Sequence, residues 1–271
     1  APTSFSVTIN PIPTITLGSN PTVCQGQVSA NLAYSATSGN PNQYSINYDG
    51  TAEGQGFSDV VNSVLAASPI SLVVPGGATP GTYNATLSVR HSSTGCASGT
   101  QAITVTVNSN PTITLGTNPT ICQGITSADL TYSAVSSSPT HYSIDYDVAA
   151  QASGFADVAS SALPASPITL VVPGAASVGT YNGVLTVINS STGCSSSSYS
   201  ISVTVNEIPS ITLGSNPAVC RGVTAANLTY SSTSGSPDEY LIDYSALANA
   251  AGFADVAYTA LPVSPIGLVV P

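Results

Sequence analysis

The chain has no lysine and only two arginines, Arg90 and Arg221, against twelve acidic residues, giving a net charge of −10. Charged side chains make up 5% of its 271 residues. A chain with no basic cluster cannot neutralise phosphates, so nucleic acids and anionic membrane surfaces are excluded as partners. Solubility must come from Ser, Thr, Asn and Gln instead. The missing lysine also excludes Lys–Asn isopeptide cross-links and leaves trypsin almost nowhere to cut. Both suit a chain exposed to an external milieu. No run of 18 apolar residues is present, so direct membrane insertion through a helix is not expected. The start shows no basic-then-apolar pattern of a signal peptide. Histidine is nearly absent: His91 and His141 occupy inequivalent places, and no Ser–His or Cys–His pair recurs. The sequence therefore predicts no enzyme.

What is present is a repeat. Ile-Thr-Leu-Gly-x-Asn-Pro-x-x-Cys-x-Gly occupies 15–26, 113–124 and 211–222, and Ser-Thr-Gly-Cys occupies 93–96 and 191–194. Cys24, Cys122 and Cys220 are 98 residues apart, as are Cys96 and Cys194. A period near 100 residues denotes tandem domains, each large enough to fold alone. The units run 13–110, 111–208 and 209–271, the last truncated. Residues 1–12 read as the last strand of a preceding repeat plus a linker, because Ser4 to Asn10 match the unit ends Gln101 to Asn108 and Tyr199 to Asn206. The expected whole is a window on a longer array.

Within the first unit the patterning is of period two. Ile15 and Leu17 alternate with threonines; Leu32, Tyr34 and Ala36 form a second strand; Tyr44, Ile46 and Tyr48 a third. Ile70 to Val74, then Tyr83, Ala85, Leu87 and Val89, then Ile103, Val105 and Val107 complete the set. Gly, Pro, Asn and Ser clusters separate them, which predicts an all-β antiparallel sandwich. One segment departs from this. From Thr51 to Ala67, apolar residues fall at Phe57, Val60, Val61, Val64 and Leu65, steps of three and four that suit a short helix between strands; an irregular loop is the alternative. Gly-Thr-Tyr at 81–83 and 179–181 is similar to a tyrosine corner, in which the hydroxyl bonds nearby backbone; a tyrosine merely packed in the core is the other reading.

The cysteines fall in turn-like sequence, one of each type per unit. Independent folding favours pairing within units, Cys24–Cys96 and Cys122–Cys194, with Cys220 left to pair beyond the window. Such a loop would stabilise a domain by roughly 4 kcal/mol in the chain-entropy model. Disulfides would place the chain in an oxidising compartment. Free buried thiols are the alternative, and zinc would need further Cys or His ligands.

The junctions Asn10-Pro11-Ile12-Pro13, Asn108-Ser109-Asn110-Pro111 and Asn206-Glu207-Ile208-Pro209 are short and each holds proline, which fixes φ. The expectation is a rod of end-to-end domains, each adding about 40 Å.

Acidic residues gather after the third strand: Asp49, Glu53 and Asp59, then Asp145, Asp147 and Asp157, then Asp243 and Asp255. Calcium needs several oxygen ligands from close positions. Asn47 and Ser245 interrupt the pattern, so helix capping by Asp49 and Asp147, and backbone bonding by Asp59, Asp157 and Asp255, is the competing account. No other cofactor is expected. Asp145 and Asp147, at i and i+2, have a spacing conceivable for a glycosidase pair, although nothing else points to catalysis. Tyr34, Tyr44, Tyr48 and Phe57 recur in each unit. They could stack sugars if exposed, but with no Trp and 6% aromatics they are expected in the core.

Together these motifs, with Tyr-Ser-Ile-Asp-Tyr-Asp (142–147), Gly-Phe-Ala-Asp-Val (154–158), Leu-Pro-Ala-Ser-Pro-Ile (163–168) and Gly-Thr-Tyr-Asn (179–182), resemble the PKD-like repeats of giant Bacteroidetes cell-surface adhesins, including those used in flavobacterial gliding. The resemblance covers all 271 residues. It implies immunoglobulin-like sandwiches, type IX secretion, attachment to outer-membrane machinery, and display outside the cell as filaments. The expected function is a stalk that projects a distal tip for gliding or attachment. The alternative is a binding array that holds polysaccharide or a surface by avidity.

Overall fold

The structure is a computed structural model and describes residues 3–271. The first unit contains β1 (Thr14–Leu17), β2 (Thr22–Cys24), β3 (Ser29–Leu32), β4 (Tyr34–Ser38), β5 (Gln43–Tyr48), α1 (Gly50–Gly54), β6 (Val60–Val64), β7 (Ile70–Val73), β8 (Gly81–Arg90) and β9 (Gln101–Asn108). Only Ala33 separates β3 from β4, so they act as one broken strand. Its first half pairs with β7 and its second with β1, making one layer. The other layer has the order β2-β9-β8-β5-β6. Two layers with this order, antiparallel except for β2 beside β9, form an immunoglobulin-like sandwich.

The second unit repeats the plan with β10 (Thr112–Leu115), β11 (Thr120–Cys122), β12 (Ser127–Leu130), β13 (Tyr132–Ser136), β14 (His141–Tyr146), α2 (Val148–Ala152), β15 (Val158–Ala162), β16 (Ile168–Val171), β17 (Gly179–Asn189), β18 (Cys194–Ser195) and β19 (Tyr199–Asn206). The third has β20 (Ser210–Leu213), β21 (Ala225–Leu228), β22 (Tyr230–Ser234), β23 (Glu239–Ile242), α3 (Ala246–Ala250), β24 (Val256–Ala260) and β25 (Ile266–Val269). Its sequence holds no counterpart of β8 and β9, and the pairs β20–β22, β21–β25 and β23–β24 stand as two-stranded sheets.

Each of the first two units has its own core. Leu32, Leu87 and Val105 are fully buried in one, and Leu130, Leu185 and Val203 in the other. The alternation along β8 puts Tyr83, Ala85, Leu87 and Val89 inward. In the third unit Ala226 and Ile266 are the buried hydrophobic residues among those described.

Three features differ from the sequence reading. The helix is five residues long, and Val60, Val61 and Val64 belong instead to β6, which pairs with β5 as Tyr44↔Ser63 and Ile46↔Val60. A register shift between Tyr44 and Ile46 breaks the period of two, and the broken period imitates helical spacing. The second feature is β2, a three-residue strand that runs parallel to β9, Thr22↔Thr106 through Cys24↔Asn108. Its copy β11 runs parallel to β19 in the same way. The third is that the strand expected within residues 1–12 does not form among the described residues: 3–13 hold none, and Phe5, Val7 and Ile9 lie exposed, with no neighbouring strand to pair with.

A glycine is needed where β1 enters the broken strand. Gly18 donates its N–H to the Ala33 carbonyl at 2.7 Å, as Gly116 does to Thr131. A Cβ on Gly116 would fall 2.1 Å from Thr131 Oγ1 and 3.2 Å from its carbonyl oxygen.

Candidate functional site

Five of the aspartates accept from the backbone. Asp49 caps α1, accepting from the Ala52 N–H at 2.8 Å, and Asp147 caps α2, accepting from Ala150 at 2.7 Å. In the third unit Ser245 takes the same role for α3, with Ala248 N–H at 3.4 Å. The replacement that interrupts a calcium pattern thus preserves a cap. Asp59, Asp157 and Asp255 accept from the N–H of Tyr48, Tyr146 and Tyr244 at 2.8, 2.8 and 2.9 Å, tying the end of one strand to the loop eleven residues on. Among the described residues no three His, Cys, Asp or Glu side chains are placed to hold a metal ion. Asp145 points outward on β14, whereas Asp147 lies past the strand end and holds the cap and Asn182 at 3.4 Å. The two therefore do not share a strand face. The Ala52 N–H and the Asn84 amide hold the Asp49 carboxyl below its usual range.

The aromatic residues pack inward. Tyr48 and Phe57 are buried, with ring centroids 5.0 Å apart, and Phe57 meets Tyr83 at 4.8 Å. Tyr146, Phe155 and Tyr181 repeat the stack at 5.1 and 4.6 Å. Tyr34 and Tyr44 are partly buried against the same core. Burial pushes the Tyr48 and Tyr146 hydroxyls up from 10.0 to about 12, with nearby tyrosine and aspartate charge adding to the shift. The corner tyrosines do both things anticipated for them. Their rings are buried, and Tyr83 donates to the Thr79 carbonyl and Tyr181 to the Ser177 carbonyl, the latter at 2.7 Å. Tyr34, Tyr132 and Tyr230 donate to the carbonyls of Ala66, Pro164 and Pro262.

The two histidines stay local. His91 Nδ1 lies 3.4 Å from the Thr94 N–H, and His141 Nδ1 lies 3.0 Å from Thr140 Oγ1.

The site that sets this chain apart is the joint between the first two units. Cys24 is disulfide-bonded to Cys194, 170 residues away and in the next unit; Cys96, Cys122 and Cys220 are free thiols. This corrects the expected within-unit bridges. The reason lies in the parallel pairing of β2 with β9. Cys24 sits opposite Asn108, at the end of the sandwich from which the chain leaves for the next unit. Cys96 lies in the β8–β9 turn, at the other end of β9. The eight residues of β9 separate them by about 26 Å, far beyond disulfide reach. Cys194, in the equivalent turn of the second unit, lies at the end of that unit facing the first.

Polar contacts surround the bridge. Asn110 in the linker donates to the Gln25 carbonyl at 3.1 Å, reaching back to the first unit. Ser109 meets Ser137 of the second unit, Oγ to Oγ, at 2.7 Å. Asn189 donates to the Ser137 carbonyl at 2.8 Å, which fixes that turn against β17. At the second junction Glu207 accepts from the Gly235 N–H at 3.1 Å. The turn there takes a left-handed backbone at each unit, with φ of 65° at Gly39, 53° at Ser137 and 63° at Gly235. At Gly39 a Cβ would lie 2.9 Å from the Pro13 Cα, so the linker proline sits directly on the turn.

No family model matches the chain, and no curated protein matches it. Among solved structures it is similar to the I-band fragment I67–I69 of titin at 12% identity, covering 95% of this chain and 88% of that one, with a TM-score of 0.35. The chicken CNTN1 FN1–FN3 domains match at 12% identity over 95% of this chain and 87% of theirs, with a TM-score of 0.33. The titin domains z1z2, solved in complex with telethonin, match at 13% identity over 74% and 100%, with a TM-score of 0.28. The fold assignment rests on the strand pairing described above rather than on these similarities.

Proposed function

We propose that this chain is a run of structural repeats in a secreted filament or stalk, displayed on the cell surface and carrying a distal binding element. The observation that supports this most is the Cys24–Cys194 bond. A covalent link between successive domains has no use within either domain's own fold, but it fixes how one is set on the next. A disulfide of this kind suits an oxidising compartment, which supports display outside the cell. The parallel pairing of β2 with β9 adds to this reading, because it carries Cys24 to the end of the first unit that faces the second, where it can bridge the joint. The acidic, lysine-free surface suits display in an external milieu.

The likeness of the repeat motifs to the PKD-like repeats of giant Bacteroidetes adhesins makes gliding or attachment the specific role proposed, with type IX export and outer-membrane anchoring as its route. Immunogold electron microscopy on intact source cells, with antibody raised to the purified chain, tests the proposal. Label strung along surface filaments is the expected result. Label confined to the cytoplasm would contradict both the compartment and the role.

A further inference from the structure

We infer that the between-unit disulfide takes residues 25–193 out of the path of tension, so that two folded units are transmitted through rather than pulled apart. The strand directions carry the inference. β2 ends at Cys24, at the end of the first unit that faces the second, and it runs parallel to β9. Cys194 lies at the end of the second unit that faces the first, and the chain then enters β19, which leads away to the third unit parallel to β11. Pulling on the two ends of the chain therefore loads residues 3–24, the sulfur–sulfur bond and residues 194–271, nearly in line. The linker at 109–111, all of β3 to β9 and all of β10 to β17 lie on a closed loop beside that path. The loop cannot extend while the bond lasts, even when its domains unfold. A bridge inside each unit would instead leave the linker as the sole connection between units, carrying all the tension.

The inference concerns mechanics alone and holds whatever the chain tethers, so it stands or falls separately from the proposed surface display. Its redox chemistry is ordinary exchange. A thiolate attacks one sulfur, a mixed disulfide forms, and the second sulfur leaves as thiolate; a second external thiol completes the reduction and is itself oxidised.

Single-molecule force spectroscopy on the full chain, held at its two ends, tests this. The hidden length is 170 residues, or about 600 Å at roughly 3.6 Å per residue. The same tethered molecule, pulled before and after a small-molecule dithiol is added, should gain that length on reduction. Cys24→Ser with Cys194→Ser should show the full extension with no dithiol. Cys96→Ser with Cys122→Ser should still hide about 600 Å. The opposite pattern, in which the Cys96/Cys122 variant releases length without reductant, would overturn the inference. So would a wild-type extension indifferent to the dithiol, an arm that does not depend on any variant folding.

Discussion

A carboxylate at a helix start and one aimed at a strand's last N–H look alike in a sequence, and both look like half of a calcium site. The contacts separate them. Asp147 caps α2 and Ser245 caps α3 with the same geometry of acceptor and donor. Asp147→Ala should cost about 1 kcal/mol, and Asp147→Ser should recover most of it. Thermal melts of the two variants check this, and a calcium ligand would instead lose as much with serine as with alanine. The buried tyrosines give a pH dependence. Tyr48 and Tyr146 keep their protons to about 12 when folded, against 10.0 in exposed surroundings. The folded chain thus holds more protons than the unfolded chain between those values. Stability is complete below about 10 and falls as pH rises towards 12. Tyrosinate absorbance followed through an alkaline titration should show these two ionising late and together with unfolding; early ionisation with the fold intact would contradict their burial. That Tyr48 and Phe57 are core was legible from the scarcity of aromatics. Which backbone group each aspartate meets was not, since Asp59 reaches a residue eleven positions earlier.

At the scale of elements, alternation carried most of the fold: β1, β5, β8 and β9 lie where the period of two put them. It failed where strands are short or shifted. β2 has three residues, too few to show a period, and β6 pairs with β5 across a register shift. The bend between β3 and β4 depends on a glycine opposite it. Gly116→Ala should destabilise by about 1–3 kcal/mol, because the new Cβ meets Thr131. Thr131→Ala in the same chain should restore part of the loss, and additive losses would show that the crowding is elsewhere. The corner tyrosine is an element-level lock between β17 and the turn before it. Tyr181→Phe keeps the ring in the core but deletes the bond to Ser177, a loss of about 1 kcal/mol by chemical denaturation.

For the whole molecule, the repeat and its period are legible in the spacing of the motifs, and the partner of each cysteine is not. One cysteine of each type per unit suggested a bridge within the unit. What decides the matter is the direction of β2, which sends Cys24 to the far end of the sandwich from Cys96. The joint that results is covalent as well as hydrogen-bonded, and the proposed stalk role rests on it. Mapping the disulfide without reduction tests it most directly. Trypsin would not serve, because cutting at Arg90 and Arg221 leaves Cys96 and Cys194 on one fragment. Cleavage before aspartate separates them, leaving Cys24 on 1–48, Cys96 and Cys122 on 59–128, and Cys194 and Cys220 on 157–237. Alkylation before digestion should label Cys96, Cys122 and Cys220. Fragment 1–48 should be found joined to 157–237 through Cys194. Fragment 1–48 joined to 59–128 would mean that the units are stapled internally, and the covalent joint between domains would fall.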